Sequence, residues 1–169
     1  MQINLFTNKI KWSKIIGNYL LNYLKIYNYI YNFMDIVEIS PNKSYEMLQN
    51  NKNAILIDVR TSEEFSAYGI ADLNSIGKEP LLLPWRTLPE MSIDGSFFTK
   101  LTNDLQNKNL DLELGKIELI FICAGGVRSR EAATLLSEQE NYKCYNITEG
   151  FEGDQNKSWK AENLPWRKL

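Results

Sequence analysis

The period of apolar side chains changes character near residue 34. From Ile15 to Tyr31, Ile15, Ile16, Tyr19, Leu20, Tyr23, Leu24, Tyr27, Ile30 and Tyr31 recur at helical spacing and predict a wide apolar stripe on one helix. Asn18, Asn22 and Lys25 interrupt the stripe, so it predicts no membrane span, which needs about 20 predominantly apolar residues. No small-residue cleavage site follows, which argues against a secretory leader. Three assignments stay open for the extension 1–33: an amphipathic helix on a membrane surface or partner, a helix packed on the domain, or upstream sequence outside a working protein that starts at Met34.

Beyond Met34 the pattern alternates between strand and helix. "MDIVEI" predicts a short strand, and the Pro and Ser/Asn cluster after it leads into a helix near Ser44 to Gln49. "AILIDV" (54–59) is a continuous β-branched run, the mark of a strand buried on both faces of a parallel sheet. Thr61-Ser62-Glu63-Glu64 has capping-box spacing and opens a short helix over Glu63 to Tyr68. "EPLLLPW" (79–85) predicts a strand bounded by its prolines, and "SFFTKLTNDLQNK" (96–108) a helix. "KIELIFIC" (116–123) predicts a second buried strand, and "SREAATLLSEQ" (129–139) a helix turning Ala132, Ala133, Leu135 and Leu136 inward. "KCYNIT" (143–148) predicts the last strand. This order predicts an α/β fold over 34–169, a mostly parallel central sheet flanked by helices on both faces, with right-handed crossovers.

Composition narrows the chemistry. The 169 residues, 44% hydrophobic and 24% charged, fit one globular domain. A net charge of −2 gives no basic field for nucleic acid. The chain has no histidine, which excludes Ser-His-Asp and Cys-His catalysis and His-ligated metal sites. Its two cysteines, Cys123 and Cys144, match no C-x-x-C or disulfide framework and predict free thiols in a reducing, cytoplasmic compartment.

The densest chemistry lies in "FICAGGVRSREAATLL" (121–136). Ligands of open α/β sheets gather beyond the carboxyl ends of strands, where this reading places Cys123, Asp58 and Arg60. Ala124, Gly125, Gly126, Val127 and Arg128 can curl so that several N–H groups converge, because Gly125 and Gly126 tolerate positive φ. A helix starting near Ser129 adds its positive end, and Arg128 adds a cation with a forked set of donors. Such a cradle stabilises a thiolate at Cys123, and in a chain without histidine this is the one evident way to activate it. A cysteine at a strand end is also, in many proteins, simply a buried thiol.

"CAGGVRS" after an apolar strand, "LIDVRTSEEF" upstream, and the tail "YNITEGFEGD…WKAENLPW" together resemble the rhodanese (sulfurtransferase) family, from about Ile36 to the C-terminus. The resemblance implies that Cys123 carries a persulfide and that the loop Ala124 to Ser129 cradles it. Cys123 would attack the outer sulfur of thiosulfate or a related donor anion, release sulfite, and pass the sulfur to a thiol, to cyanide or to a sulfur-relay protein. No metal or organic cofactor is implied. Asp58 and Arg60 match the family's D-x-R, either as support for the loop or as structural groups, Arg60 pairing Glu63 or Glu64 and Asp58 bonding nearby backbone. Tyr68-Gly69-Ile70-Ala71-Asp72 departs from the family's Gly-His-Ile, and "LNSIGKEPLLLPW" from its G-A-x-N-I-P.

Two other functions stay open: a carrier that delivers sulfur to one protein, and a cysteine phosphatase or arsenate reductase. The loops of the latter place five residues between Cys and Arg where this chain has four, tight for a tetrahedral phosphate. Cys144 reads as a core thiol or as a resolving partner for Cys123. Trp159 and Trp166 read as tail residues packed on the domain, and Arg86 and Arg130 as surface charges or as part of the field around the site.

Overall fold

The computed structural model describes residues 36–108, 110, 117–137 and 142–169. The expectations for residues 1–33 and for a start at Met34 lie outside them. The described chain runs β1 (Val37–Ile39), α1 (Pro41–Asn50), β2 (Ala54–Asp58), α2 (Ser62–Tyr68), β3 (Ile70–Ala71), a 3-10 turn (Asn74–Ile76), β4 (Leu81–Leu82), β5 (Arg86–Thr87), β6 (Ser92–Ile93), α3 (Phe97–Gln106), β7 (Ile117–Ile122), α4 (Val127–Leu136), β8 (Tyr142–Ile147) and β9 (Trp166–Arg167).

Five strands form the central sheet in the order β1-β8-β7-β2-β4, and every pairing in it is parallel. The largely apolar runs of β2 and β7 are explained by cover on both faces. On one side α3 (Phe97, Leu101, Leu105) and α4 (Ala132, Ala133, Leu136) pack with Trp85 over Ile55, Ile57, Leu119 and Phe121. On the other side Leu48 of α1, Phe151 and Trp159 cover Leu56, Ile120 and Ile122. Pro41 stands at the start of α1, where its missing N–H costs nothing, and Ser40 caps the helix by accepting from the Lys43 N–H.

Register decides where the chemistry collects. Asp58 lies opposite Ile122, and Phe121 opposite Asn146, so β2, β7 and β8 end at one edge. The segments after them, Val59–Thr61, Cys123–Gly126 and Thr148–Gly153, therefore emerge side by side.

Four local expectations change. The strand expected over 79–85 is regular only at Leu81–Leu82, although the Leu83 and Trp85 N–H groups still bond the Asp58 and Val59 carbonyls. Two small antiparallel pairs appear that the period did not predict, β3 with β9 and β5 with β6. The helix expected from Ser129 begins at Val127. Leu135, expected inward, is 47% exposed, because Ala132, Ala133 and Leu136 already fill the face of α4 against the sheet.

Candidate active site

Cys123 follows β7 with its side chain on the face of Leu119 and Phe121, as alternation along the strand requires, and is 1% exposed. Its Sγ accepts two hydrogen bonds, from the Gly126 N–H at 3.1 Å and from the Ser129 hydroxyl at 3.2 Å. Gly126 has φ of 86°, and a Cβ there would collide with the Thr148 carbonyl. That left-handed turn folds the chain back toward the sulfur and starts α4 without a side-chain cap. Ser129, which by residue type suits an N-cap, sits inside the first turn and gives its hydroxyl to sulfur.

The underside of the loop is held by the turn after β8. The Cys123 carbonyl accepts from Phe151 N–H at 2.8 Å, and the Ala124 carbonyl from Glu152 at 3.1 Å and Gly153 at 2.6 Å. Gly150, at φ of 65°, lets this turn approach; a Cβ on it would meet the Cys123 and Ala124 carbonyls. The N–H groups of Gly125, Val127 and Arg128 meet no acceptor among the described residues. With carbonyls bound below and donors unused at a helix start, the loop offers its positive side to an anion.

Arg128 is not a free cation. Both its terminal nitrogens lie 2.7 Å from the Glu64 carboxylate. Glu64 also accepts from the Thr61 N–H at 2.8 Å while Thr61 Oγ1 accepts from the Glu64 N–H, so the capping box of α2 and the anchor of Arg128 share one carboxylate. Burial pushes Glu64 up, but the hydrogen bonds from Arg128 and Thr61 outweigh it and hold the carboxyl below its usual range. Arg128 is held above its ordinary value, chiefly by the Glu64 hydrogen bond.

Arg60, two residues past the end of β2, turns back to pair with Asp58, the last residue of that strand, rather than with Glu63 or Glu64. Nη2 lies 2.6 Å from Asp58 Oδ2 and donates to the Gly69 carbonyl at 2.8 Å. Both residues are buried, and burial raises the Asp58 pKa against the pull of Arg60. The guanidinium lies 4.0 Å from the Phe151 ring centroid, so the pair reaches the loop through the residue that holds the Cys123 carbonyl. Arg60 Nη1 is buried and has no hydrogen-bond partner among the described residues.

The remaining expected residues are placed by their contacts. Arg86 pairs with Glu131, and Arg130 with Glu38. Trp159 is buried and donates to the Pro165 carbonyl, whereas Trp166 is 42% exposed and stacks on Lys160. Cys144 lies opposite Leu119 in the ladder, about 13 Å along the strand from Cys123 at the usual rise. A disulfide needs Cα atoms within about 7 Å, so the resolving reading of Cys144 fails on geometry. Burial pushes its thiol up to about 12.

Sequence reasoning missed Glu64 as the partner of Arg128 and the turn at Gly150 and Gly153 as the floor of the loop. Paired glycines in "EGFEGD" were the available signal for the second. A cleft of about 330 Å³ runs from Arg128 between α2 and the 88–91 turn, lined by Thr61, Glu63, Glu64, Ala67, Tyr68, Leu88 and Met91. A larger cavity of about 520 Å³, lined by Lys52, Leu56 and Lys78 among others, opens beside the first half of β2, away from the cysteine. Among the described residues no group of three or more His, Cys, Asp or Glu is placed to hold a metal ion, and no helix is long and apolar enough to cross a membrane.

Comparison with known proteins identifies the family. The sequence model of the rhodanese-like domain matches residues 40–157. An uncharacterized protein of Rickettsia rickettsii is 38% identical over 137 residues, covering 79% of this chain and 99% of the relative. The thiosulfate sulfurtransferase GlpE of Actinobacillus succinogenes is 30% identical over 132 residues, 78% of this chain and 91% of that protein. Among solved structures, the crystal structure of Rv0390 from M. tuberculosis matches with a TM-score of 0.67 and 31% identity, over 78% of this chain and 97% of that one.

Proposed function

For this chain, which belongs to the rhodanese-like domain family, we propose the role of a sulfurtransferase that carries the outer sulfur of thiosulfate, or of a related anion, to a thiol or cyanide through a persulfide on Cys123. The observation that carries the reading is the pair of donors on one sulfur, the Gly126 N–H and the Ser129 hydroxyl on Cys123 Sγ. Similarity to a thiosulfate sulfurtransferase supports the choice of donor.

In the first step the Cys123 thiolate attacks the outer sulfur of thiosulfate. A bond forms between Sγ and that sulfur, the bond to the sulfonate sulfur breaks, and its electron pair leaves with sulfite. The N–H groups of Gly125, Val127 and Arg128 receive the negative charge of the donor and then the terminal sulfur of the persulfide. In the second step the acceptor attacks that terminal sulfur and the electron pair returns to Sγ, where the Gly126 and Ser129 donors meet it. Glu64 fixes Arg128 at the rim, and Asp58 with Arg60 holds Phe151 under the loop. No metal or organic cofactor enters the scheme.

The test is thiocyanate formation from thiosulfate and cyanide. Turnover that Cys123→Ser abolishes and Cys144→Ser keeps supports the proposal; equal turnover in the wild type and Cys123→Ser overturns it.

A further inference from the structure

We propose that the cavity beside the first half of β2 is a second ligand site, and that it takes an organic phosphate of two or more negative charges, of the kind of a nucleoside diphosphate. The site is separate from the sulfur chemistry of Cys123. Ala54 lies opposite Glu118, five residues before Cys123, so the cavity starts about 16 Å along the strand from the sulfur.

An incomplete ladder makes the space. β4 pairs with β2 only at Ile57 and Asp58, so the edge of Ala54 to Leu56 on that side has no strand beside it. Alternate residues of a central parallel strand bond opposite neighbours. The Glu118 N–H bonds the Asn53 carbonyl and the Val59 N–H the Ile122 carbonyl, so the odd-numbered residues of β2 serve β7 and the even-numbered ones face the open edge. Gly77, left-handed at φ of 67°, turns Lys78 back to this edge. Its Nζ donates to the Asn51 carbonyl at 2.5 Å and to the Ala54 carbonyl at 2.7 Å, in place of a strand N–H. The Leu56 N–H faces the space that remains, and the register gives it no acceptor on β4. That space, about 520 Å³, lies within the roughly 300–1,000 Å³ of sites that hold whole small molecules.

Charge selects the ligand. Lys52, Lys78 and Lys108 line the cavity. The ion pairs of lysines among the described residues belong to Lys43, Lys100 and Lys160, so these three have none. Glu79 also lines the cavity, but its carboxylate pairs with Arg167. Glu118 attracts Lys78, yet its two oxygens already accept from Asn51 and the Tyr145 hydroxyl. Burial, and after it the charge of Lys108, hold Lys78 below its ordinary value. Positive charge is therefore crowded at one place in a chain whose net charge is −2, and a multiply charged anion relieves the crowding.

The donors divide the work. Lys78 gives its hydrogens to carbonyls and acts on a ligand through its charge, whereas Lys52 and Lys108 keep theirs for the anion. One carboxylate would leave two of the three charges unmatched, and a diphosphate matches them. An inorganic anion would leave most of the volume empty beside Leu73 and Leu110, so the anion carries an organic body.

The test is calorimetric titration of the full chain at low salt with adenosine diphosphate, and with pyrophosphate, adenosine and decanoate for comparison. One adenosine diphosphate is expected per chain, bound about 10-fold or more tighter than pyrophosphate, which lacks the body, or adenosine, which lacks the charge. Lys52→Gln with Lys108→Gln should weaken it about 10-fold while leaving the thermal midpoint unchanged, and Lys157→Gln, at an exposed lysine outside the cavity, should not weaken it. No saturable binding up to about 1 mM, equal affinity for pyrophosphate, a preference for decanoate, or affinity that the double variant retains would each overturn the site. Sulfur uptake by Cys123 is read on the same samples. Its failure in the wild type would contradict the sulfurtransferase reading and leave this inference standing.

Discussion

Cys123 and Cys144 are buried in the same apolar cluster, 1% and 4% exposed, and their surroundings treat sulfur in opposite ways. Cys144 lies within β8, where the ladder to β7 uses the neighbouring backbone groups, and burial alone acts on its thiol, pushing it up to about 12. Cys123 stands just past the end of β7, where the ladder stops and the chain can turn, and there a backbone N–H and a hydroxyl both point at the sulfur. Burial alone therefore does not distinguish the two sulfurs. What separates them is whether donors near the sulfur are left over from secondary structure, and a strand end followed by a glycine turn supplies them.

The largest effects are expected at the sulfur itself. Cys123→Ser is expected to lower thiosulfate–cyanide turnover by about 10³-fold or more, whereas Cys144→Ser should keep it within about 2-fold while lowering the urea midpoint, since it buries a hydroxyl. The next effect is on the turn. Gly126→Ala puts a Cβ against the Thr148 carbonyl at φ of 86° and should cost about 2–3 kcal/mol of stability and most of the sulfur uptake. Gly95→Ala, with open space at that position, should change neither, as denaturant titration of both variants would show.

A smaller effect is expected from Ser129→Ala, which removes one of the two donors. Iodoacetamide should alkylate Cys123 about 10-fold more slowly in that variant, the size of one hydrogen bond to a charged group. Cys144 should stay unmodified in every folded variant, because burial keeps its thiol neutral. The smallest effect concerns pH. Glu64 is held below the usual carboxylate range in the folded chain, so the stability it contributes is present above about pH 4.3, its unfolded value, and is lost as pH falls through the lower folded value. The pair is partly exposed, so about 1 kcal/mol or less should separate wild type from Glu64→Gln in the acid limb of a urea-midpoint profile. An acid limb unchanged by the substitution would remove Glu64 from the account.

Much of this arrangement is written in local pattern. The β-branched runs at 54–59 and 116–123, the helix around Ala132 and Ala133, and the Thr61–Glu64 capping box depend on near neighbours, and each appears in the fold. Cys123 and its glycine loop were visible for the same reason. Other features depend on which segments meet, and one sequence does not state that. Glu64 reaches Arg128 only because α2 and α4 start at the same edge of the sheet. Arg60, just past the end of β2, turns back to Asp58 and not forward to either glutamate of the helix. Gly150 and Gly153 carry the loop because β8 ends beside β7. The start of α4 was misplaced for a related reason: residue type favours Ser129 as the cap, but a left-handed Gly126 opens the helix and releases the serine to the sulfur.

The most direct measurement is the mass of the full chain after incubation with thiosulfate, followed by peptide mapping and then cyanide. A gain of one sulfur atom is expected, located on the peptide that contains Cys123 and removed by cyanide. No gain while Cys123 remains open to alkylation, or a sulfur found on Cys144, would contradict it.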